Sequence, residues 1–348
     1  MKTNNDPRYD LFFGNSMDVY SIWPEPDVII SDGAYGLRGF PGDPSSVDQI
    51  IEWYMPHVLS WSKYVKPSTS LWFWNTEVGW ATLHPILLAN GWEYVQLGIW
   101  DKGLSHIAGN VNGNTIRQFP VVSEVSALYR RALYLKTGDG RTLSVKEWLR
   151  AEWERSGLPL YKANEACGVK NAATRKYLTQ DWLWYWPPGE AVQAMSDYCN
   201  KYGYLSGKPY FQIDNKPVTT GIWDNLRAVW NHRNGITNVW SRPPLSNTER
   251  LKGTLEKSAP RMHKATKMSA AHLNQKPLDL MINQIYSTTN ENGVVWEPFG
   301  GLASASVAAV LLGRKGYVAE INKTFADIAE NRLKEAENNY YNNGIITI

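Results

Sequence analysis

The spacing of apolar residues is the feature that most constrains this chain. In residues 9–131, and again from residue 277 onward, short apolar runs alternate with longer amphipathic stretches. That alternation predicts strands followed by helices, and a mostly parallel sheet. Residues 132–247 lack this rhythm and are rich in Trp, Tyr, Asn, Gly and Pro. The sequence therefore predicts an α/β fold in which residues 1–131 and 248–348 form two halves of one sheet, separated by an insert at 132–247.

The composition excludes several classes of protein. The 36 Lys and Arg residues nearly balance the 33 Asp and Glu residues, so an anionic partner must be met by a local basic patch. The two cysteines lie far apart, and the histidines lack metal-ligand spacing, which argues against a disulfide framework or a metal site. A signal core and a membrane-length apolar run are both missing, so we predict a soluble, cytoplasmic protein without a membrane partner. The 17 tryptophans predict flat surfaces that stack on a partner.

The carboxy-terminal zone contains a predicted ligand site. A predicted strand ends at Glu297-Pro298, and the turn Gly300-Gly301 leads directly into a helix of small residues. The start of such a helix presents amide donors and a positive dipole end to an anionic or carboxylate-bearing ligand. The next predicted strand ends at Glu320, about 20 residues further on, where an acid usually holds ribose hydroxyls. A phosphate-binding motif of the GxGxxG or GK[ST] type is missing.

A second candidate site follows the apolar run Val28–Ile30. The segment Ser31-Asp32-Gly33-Ala34-Tyr35-Gly36 reads as a strand end followed by a turn, since Asp and Gly are ordinary turn formers. The other interpretation is a functional loop, in which an acid and a tyrosine stand together at the tip of a buried strand.

The ordered set of motifs resembles the permuted, β-class DNA amino-methyltransferases. In that family a Q-K-P segment opens a helix, a D-P-F-x-G loop receives the methionine part of S-adenosylmethionine, an acid takes its ribose, and a further turn meets its adenine. A D-P-P-Y loop carries the catalytic residues. The corresponding cofactor residues here are Asn15, Ser16, Asp32, Lys276, Pro277, Glu297, Phe299, Gly300, Gly301, Glu320, Ile321 and Asn322.

The resemblance implies a fold and a function. The fold would be a Rossmann-like methyltransferase sheet with its motifs in circularly permuted order and an inserted target-recognition domain. Residues 1–131 would be the catalytic half, 132–247 the target-recognition insert, and 248–348 the cofactor half. The function would be the transfer of a methyl group from S-adenosylmethionine to the exocyclic amine of a flipped base in double-stranded DNA. A homodimer and a cognate restriction nuclease are further partners that the bacterial family implies.

The chemistry assigns roles to the loop after Val28–Ile30. An exocyclic amine is a poor nucleophile because its lone pair is delocalised into the base, so acceptors must pull on its N–H bonds. The carboxylate of Asp32 and the backbone carbonyl of Gly33 would be these acceptors. Tyr35 would present a ring face on which the flipped base stacks.

This sequence departs from the family pattern at several positions. Gly33-Ala34 replaces Pro-Pro and lacks the fixed φ of proline, so the loop is either held by its neighbours or inactive. We predict retained activity, because Asp32, Tyr35 and the cofactor loop all survive together. Ser123-Glu124 stands where the family often shows H-E, after Ile99-Trp100-Asp101-Lys102, which matches its I-W-x-K motif.

The target base and the kind of substrate have alternatives. Asp32 favours adenine N6, and the alternative is cytosine N4. A catalytically inactive DNA-binding relative would still bind DNA. A methyltransferase that acts on RNA or protein would share the cofactor half but would not need the insert.

The insert contains a segment that resembles a helix-turn-helix. An amphipathic stretch runs to Cys167, a turn follows at Gly168–Lys170, and a second helix is predicted at Asn171–Leu178. A hairpin that only packs the insert is an equal alternative. The aromatic run Trp182–Trp186 is predicted to pack in a core rather than on DNA. The predicted DNA contacts are Lys170, Asn171, Arg175 and Lys176.

A basic segment at 249–267 follows the insert. Its Arg261 and Lys264 are predicted to contact DNA phosphates, and the alternative is a solvated linker.

Overall fold

The protein is described by a computed structural model that covers residues 6–36, 43–104, 106–107, 112–245 and 275–346. The chain divides into two compact units: a first unit of Met1–Arg131 and Ala228–Ile348, and a second unit of Ala132–Arg227. The insert predicted at 132–247 is therefore longer than the second unit. The reason is a short strand at Val239–Ser241, which pairs with the sheet of the first unit.

Twelve strands are found in the described ranges. In chain order they are β1 (Tyr9–Phe13), β2 (Val28–Ser31), β3 (Ser70–Asn75), β4 (Trp92–Asp101), β5 (Ser123–Arg131), β6 (Tyr134–Lys136), β7 (Thr142–Ser144), β8 (Gln212–Ile213), β9 (Lys216–Pro217), β10 (Val239–Ser241), β11 (Val294–Glu297) and β12 (Lys315–Glu320).

The same ranges contain nine α-helices. They are α1 (Ile50–Tyr64), α2 (Glu77–Ala89), α3 (Val145–Arg155), α4 (Lys162–Ala166), α5 (Gly189–Tyr202), α6 (Thr220–Asp224), α7 (Leu278–Thr288), α8 (Ser304–Leu311) and α9 (Lys323–Asn343). None of these helices has both the length and the apolar character that crossing a membrane requires.

The first unit is built on one eight-stranded sheet in the order β1-β12-β11-β2-β3-β5-β4-β10. Neighbouring strands are parallel except where β5 lies between β3 and β4, antiparallel to both. The two ends of the chain meet where β11 pairs with β2, and again where β1 pairs with β12. The predictions of a mostly parallel α/β sheet and of one sheet formed from both chain ends are confirmed.

The central strands of this sheet are covered on both faces. Every residue of β2 and of β3 is buried, as expected for strands of a parallel sheet with helices on each side. One face packs against α1 and α2, in a core that includes Tyr54 and Trp61. The other face packs against α7 and α8, in a core that includes Trp74 and Ile285.

The second unit has its own core and two short hairpins, β6–β7 and β8–β9. In the segment that resembles a helix-turn-helix, the first helix is α4, which ends before Gly168, a residue with a left-handed φ of 62°. The predicted second helix Asn171–Leu178 forms as a short helical piece: its backbone hydrogen bonds run from the Asn171 carbonyl to the Leu178 amide, and its central residues, Ala173–Tyr177, are π-helical. The side-chain oxygen of Asn164 accepts a hydrogen bond from the Thr174 amide (3.2 Å), which joins the two pieces.

The tryptophans lie mainly inside the protein rather than on its surface. Eight of them are among the largest fully buried side chains: Trp61, Trp72, Trp74, Trp92, Trp148, Trp153, Trp223 and Trp296. The prediction that the tryptophans form flat stacking surfaces is therefore wrong for these eight. The run Trp182–Trp186 is divided, because Trp184 and Trp186 pack against the core of the second unit while Trp182 is 88% exposed.

Candidate active site

The candidate site lies along one edge of the sheet in the first unit. The strands β1, β12, β11, β2 and β3 are parallel, so their carboxyl ends meet at this edge, and the antiparallel strand β5 begins there. Connections leave β11 and β2 in opposite directions across the sheet, which makes their junction a topological switch point where such folds bind ligands. Glu297 and Glu320 are the last residues of β11 and β12, Asn15 and Asp32 lie just after β1 and β2, and Glu124 lies at the start of β5.

Asp32 belongs to a buried cluster of charged side chains. The Lys276 Nζ lies 2.8 Å from Asp32 Oδ1 and 3.3 Å from Glu124 Oε2. The Tyr35 hydroxyl donates to Asp32 Oδ1 at 2.9 Å and contacts Glu124 Oε2 at 3.3 Å. Lys102 forms an ion pair with the other oxygen of Glu124. The contacts of Asp32 with Lys276 and Tyr35 both fall on Oδ1, so the carboxylate is fixed in orientation with Oδ2 turned away from these two residues.

The charges in this cluster determine its protonation. Burial by itself raises the pKa of Glu124, but the ammonium groups of Lys276 and Lys102 outweigh burial and hold that pKa below its usual range. Burial lowers the pKa of Lys276, but the carboxylates of Asp32 and Glu124 raise it by more, so the pKa lies above its usual value. The two residues therefore stay charged at neutral pH and stabilise each other.

Tyr35 is held inside the cluster rather than on the surface. Its side chain is 6% exposed, and the Lys276 ammonium lies 5.2 Å from its ring centroid. Burial, and then the charges of Asp32 and Glu124, raise its pKa well above the usual value, so the hydroxyl stays protonated. In this arrangement the ring face next to Lys276 is covered, and a base that stacks on Tyr35 requires the side chain to move.

The carboxylate of Glu297, at the end of β11, caps the start of α8. Its Oε1 accepts from the Ala305 amide at 3.0 Å and its Oε2 from the Ser306 amide at 2.7 Å. Burial raises the pKa of Glu297 to about 7, against these hydrogen bonds, which lower it. The prediction that the amides at the start of this helix are free for a ligand is wrong for Ala305 and Ser306, since the side chain of Glu reaches them.

The carboxylate of Glu320, at the end of β12, also accepts from backbone amides. The Gly301 amide donates to its Oε2 at 2.6 Å and the Asn322 amide to its Oε1 at 2.7 Å. Burial raises its pKa above the usual value, and these amides oppose that shift. Gly300 lies so close to β12 that a Cβ atom there would stand 2.5 Å from Val318 Cγ2, which explains why a glycine occupies this turn.

Aromatic residues of α1 and of the loop after β11 pack together at this site. Phe299 packs against Trp53 and His57 with centroid distances of 5.0 and 4.8 Å. Burial lowers the pKa of His57 to about 4, so its ring is neutral, and its Nδ1 lies 2.9 Å from the Tyr20 hydroxyl. That hydroxyl in turn donates to Ser16 Oγ at 3.2 Å. Ser16 is thus tied to the aromatic cluster from inside the protein.

Other predicted cofactor residues lie at the exposed end of this edge. Asn15 is exposed, and its side chain accepts from the Met17 amide. Ile321 is 71% exposed, and Asn322 caps the start of α9 through the Thr324 and Phe325 amides. Lys276, which is also predicted to bind the cofactor, forms ion pairs with Asp32 and Glu124, and Pro277 is buried just before α7.

Two residues of the charged cluster were missing from the sequence-based assignment: Glu124 and Lys102. The signal for both was present, since Glu124 stands at the H-E position and Lys102 ends the I-W-x-K motif of the resembled family. Neither motif says which residues it meets. The antiparallel pairing of β5 with β4, which sets Trp100 opposite Glu124, provides that information.

Within the described ranges, His, Cys, Asp and Glu side chains form no group able to hold a metal ion.

The DNA contacts predicted in the second unit are available to solvent. Lys170, Asn171, Arg175 and Lys176 are all exposed, around the turn that follows α4. The predicted contacts Arg261 and Lys264 lie outside the described residues.

A sheet with one antiparallel strand among parallel ones, helices on both faces, and acids and glycine turns along its carboxyl edge defines the Rossmann-like class of fold. A family model described as DNA methylase, of the N6/N4 methyltransferase type, matches residues 26–331. The chain is 38% identical over 337 residues to the type II methyltransferase M.BglII from Bacillus subtilis, covering 96% of this chain and 71% of that protein. The chain belongs to the N6/N4 DNA methylase family, whose members are S-adenosylmethionine-dependent DNA methyltransferases.

Other relatives match over different extents. The type II methyltransferase M.HinfI from Haemophilus influenzae is 33% identical over 101 residues, which is 29% of this chain and 25% of that protein. A crystal structure of the M1.HpyAVI–SAM complex covers 93% of this chain and 99% of its own, with 14% identity and a TM-score of 0.44. The cytosine-N4-specific PvuII DNA methyltransferase covers 97% and 96%, with 11% identity and a TM-score of 0.46.

The residues at the carboxyl edge fit the cofactor of this family. S-adenosylmethionine carries an ammonium, ribose hydroxyls and an adenine ring. Each of the carboxylates of Glu297 and Glu320 accepts two backbone hydrogen bonds and retains further lone pairs for donors of a ligand. Phe13 and Ile321 are more than half exposed beside Glu320 and provide apolar surface for a ring.

Proposed function

We propose that this protein methylates the N6 amine of adenine in duplex DNA, and that Asp32 is the side chain that accepts an N–H of that amine. The observation that supports the role of Asp32 is the geometry of its carboxylate, and the choice of adenine depends on the presence of Asp at this position. Its Oδ1 is occupied by Lys276 and Tyr35, while the side chain is 22% exposed, which leaves Oδ2 for a substrate at the edge of the sheet. Phe299 of the cofactor loop packs next to Gly33, so both halves of the reaction meet there.

The chemistry requires little more than acceptors and position. The bound cofactor supplies a methyl group on a positively charged sulfur. Asp32 Oδ2 and the Gly33 carbonyl would each accept one N–H of the amine, which localises the lone pair on nitrogen. Asp32 is then placed to receive the proton that the methylated amine releases. Lys276, through its contact with Oδ1, holds the Asp32 side chain in its orientation.

We assign the cofactor contacts to the carboxyl ends of β11, β12 and β1. Glu297 would accept from the ammonium of the methionine part, next to Phe299, Gly300 and Gly301. Glu320, Ile321 and Asn322 would meet the ribose, and Asn15 with Ser16 would meet the adenine. Glu297 is buried and has a pKa raised to about 7, so a ligand ammonium at its carboxylate offsets the burial of its charge.

Access to the amine requires the base to leave the helix, and Tyr35 would then pack against it. We propose that the second unit selects the DNA sequence through Lys170, Asn171, Arg175 and Lys176, and that Arg261 and Lys264 contact phosphates. A bacterial cytoplasmic setting, a homodimer and a cognate nuclease belong to this proposal as the family's usual context.

The direct experiment measures methylated nucleosides in DNA from bacteria that express the protein, together with sequencing of the methylated sites. We expect N6-methyladenine within one short recognition sequence. N4-methylcytosine would contradict the choice of base. Unmodified DNA would support an inactive relative, and methylation confined to RNA or protein would refute the proposed substrate.

The Asp32→Ala variant tests the assigned catalytic role. We expect methyl transfer to fall by about 10²-fold to 10⁴-fold, the typical contribution of a positioned proton acceptor, while S-adenosylmethionine binding is retained. Asp10→Ala, at an exposed position of β1, is the control and should keep wild-type turnover. Unchanged turnover of Asp32→Ala would show that another group accepts the proton.

A further inference from the structure

One peptide unit of the loop after β2 is held at both of its polar atoms by side chains, one from β3 and one from further along the same loop. The Asn75 Nδ2 donates to the Ala34 carbonyl oxygen at 2.9 Å. The Tyr35 amide, which belongs to the same peptide unit, donates to Asp43 Oδ2 at 3.1 Å. Because a peptide unit is planar, holding its oxygen and its N–H fixes the orientation of the whole plane.

Asn75 is built into this position. It is the last residue of β3 and is fully buried, and its Oδ1 accepts from the Thr76 amide at 2.9 Å. A Cβ atom at Gly79 would lie 1.9 Å from Asn75 Oδ1, so a glycine at the start of α2 leaves the space that this side chain fills. The amide of Asn75 therefore has a single orientation, with its donor directed at Ala34.

The residue before this peptide unit is also fixed. A Cβ atom at Gly33 would stand 2.6 Å from the Phe299 ring and 2.7 Å from the Tyr54 hydroxyl. Proline has a Cβ atom, so this packing excludes proline at position 33. The stiffness of the loop must come from contacts with the rest of the protein instead of from the ring of a proline.

We propose that Asn75 and Asp43 are positioning residues for methyl transfer. They clamp the Ala34–Tyr35 peptide unit, which comes directly after Asp32 and Gly33 in the chain. The clamp fixes ψ at Ala34 and φ at Tyr35. Together with the packing of Gly33, it holds the Gly33 carbonyl and the Asp32 carboxylate at a constant separation. The inference rests on the proposed function, because it assigns these two acceptors to one amine.

The test compares kinetic constants of variants at both ends of the clamp. A misplacement of about 1 Å near reacting atoms costs on the order of 10²-fold in rate. We expect Asn75→Ala and Asp43→Ala to lower kcat by about 10-fold to 100-fold, with KM for DNA and for S-adenosylmethionine within about twofold of wild type. Asp43→Asn retains an oxygen that accepts from the Tyr35 amide and should recover most of the lost kcat.

A matched control exists on the same helix as Gly79. Asn90, which follows the carboxyl end of α2, also donates its Nδ2 to a backbone carbonyl, that of Ile86, at 2.8 Å. Asn90→Ala removes a hydrogen bond of the same kind and should leave kcat unchanged. If Asn75→Ala does not fold, the Asp43→Ala and Asp43→Asn pair decides the question.

Hydrogen exchange of the Tyr35 amide provides a readout that does not depend on activity. We expect slow exchange in the wild type and in Asp43→Asn, and faster exchange in Asp43→Ala. Wild-type kcat in both alanine variants, or equal exchange in all three proteins, would overturn the clamp. A wild-type protein that methylates no DNA but shows the expected exchange pattern would refute the proposed function and leave the clamp as a structural feature.

Discussion

The acidic residues at the carboxyl edge of the sheet form two groups that are stabilised in different ways. At the carboxyl end of β2, Asp32 and Glu124 are paired with the ammonium groups of Lys276 and Lys102. At the ends of β11 and β12, the donors to the carboxylates of Glu297 and Glu320 are backbone amides. We call these two parts of the carboxyl edge the lysine-held edge and the amide-held edge.

The difference between the edges appears in their protonation. The pKa of Glu124 is below its usual range although the side chain is buried, whereas the pKa of Glu297 is raised to about 7. Two amides at hydrogen-bond distance do not offset the burial of a carboxylate, and two ammonium groups do. At the lysine-held edge Glu124 is thus charged before any ligand binds, while Glu297 at the amide-held edge is stabilised by a positive charge that a ligand brings.

We expect the largest effect from removing Lys276, the cation that contacts both Asp32 and Glu124 at the lysine-held edge. Lys276→Met leaves Asp32 without its cation and Glu124 with Lys102 alone, and breaking a buried pair costs about 3–5 kcal/mol of unfolding free energy. Urea denaturation measures this loss. Lys334→Met, which breaks the exposed pair with Glu330, should unfold like the wild type. Equal effects of the two variants would remove the distinction between the edges.

The pH dependence of stability tests the amide-held edge. The pKa of Glu297 rises from 4.5 to about 7 on folding, so the unfolded state releases its proton first as pH increases. Its contribution to stability is full below pH 4.5, falls by about 3 kcal/mol as pH rises through 7, and is constant above that. The free energy of unfolding of the wild type, relative to that of Glu297→Gln, should therefore fall between about pH 5 and about pH 8. The control Glu25→Gln, at an exposed position, should run parallel to wild type, and a parallel Glu297→Gln would contradict the raised pKa.

A methyl group at Gly33 tests how closely the two edges pack. In Gly33→Ala the new Cβ meets Phe299 and Tyr54 within 2.7 Å, and overpacking of this kind costs about 1–3 kcal/mol. Methyl transfer should fall as well, since the loop that contains Asp32 must shift. Gly113→Ala adds a methyl where nothing lies within 4 Å and serves as the control. A fully stable and active Gly33→Ala would show that the two edges are not tightly packed at this point.

The smallest expected effect comes from a helix cap at the amide-held edge. The Asn322 side chain accepts from the Thr324 and Phe325 amides, and loss of such a cap costs about 1 kcal/mol. Asn322→Ala should lower the midpoint of thermal unfolding, and Asn322→Ser should restore most of it. Because the lysine-held edge is built from other residues, the kcat of Asn322→Ala at saturating cofactor should match wild type. A kcat that falls with the cap would mean that the edges are coupled.

The sequence predicted the halves of the sheet well because apolar periodicity is a local property. The strand ends at Asp32, Glu297 and Glu320 were all located from runs of a few residues. The turn and the second helix of the insert were located in the same way, since Gly168 has a left-handed φ and the helical hydrogen bonds run from Asn171 to Leu178. The sequence-based prediction assigned Lys276 to the cofactor. It did not show the contact of Lys276 with Tyr35, which lies 241 residues away in the chain.

The sequence by itself determined which residue types follow each strand, because alternation of apolar runs fixes where strands end and parallel strands end at one edge. The tertiary structure alone decided which of these residues meet. The antiparallel course of β5 brings Glu124 to Lys276, and the pairing of β2 with β3 brings Asn75 to Ala34. Hydrogen bonds and ion pairs act only over a few ångströms, so partners far apart in the chain depend on strand order and register, which no local pattern specifies.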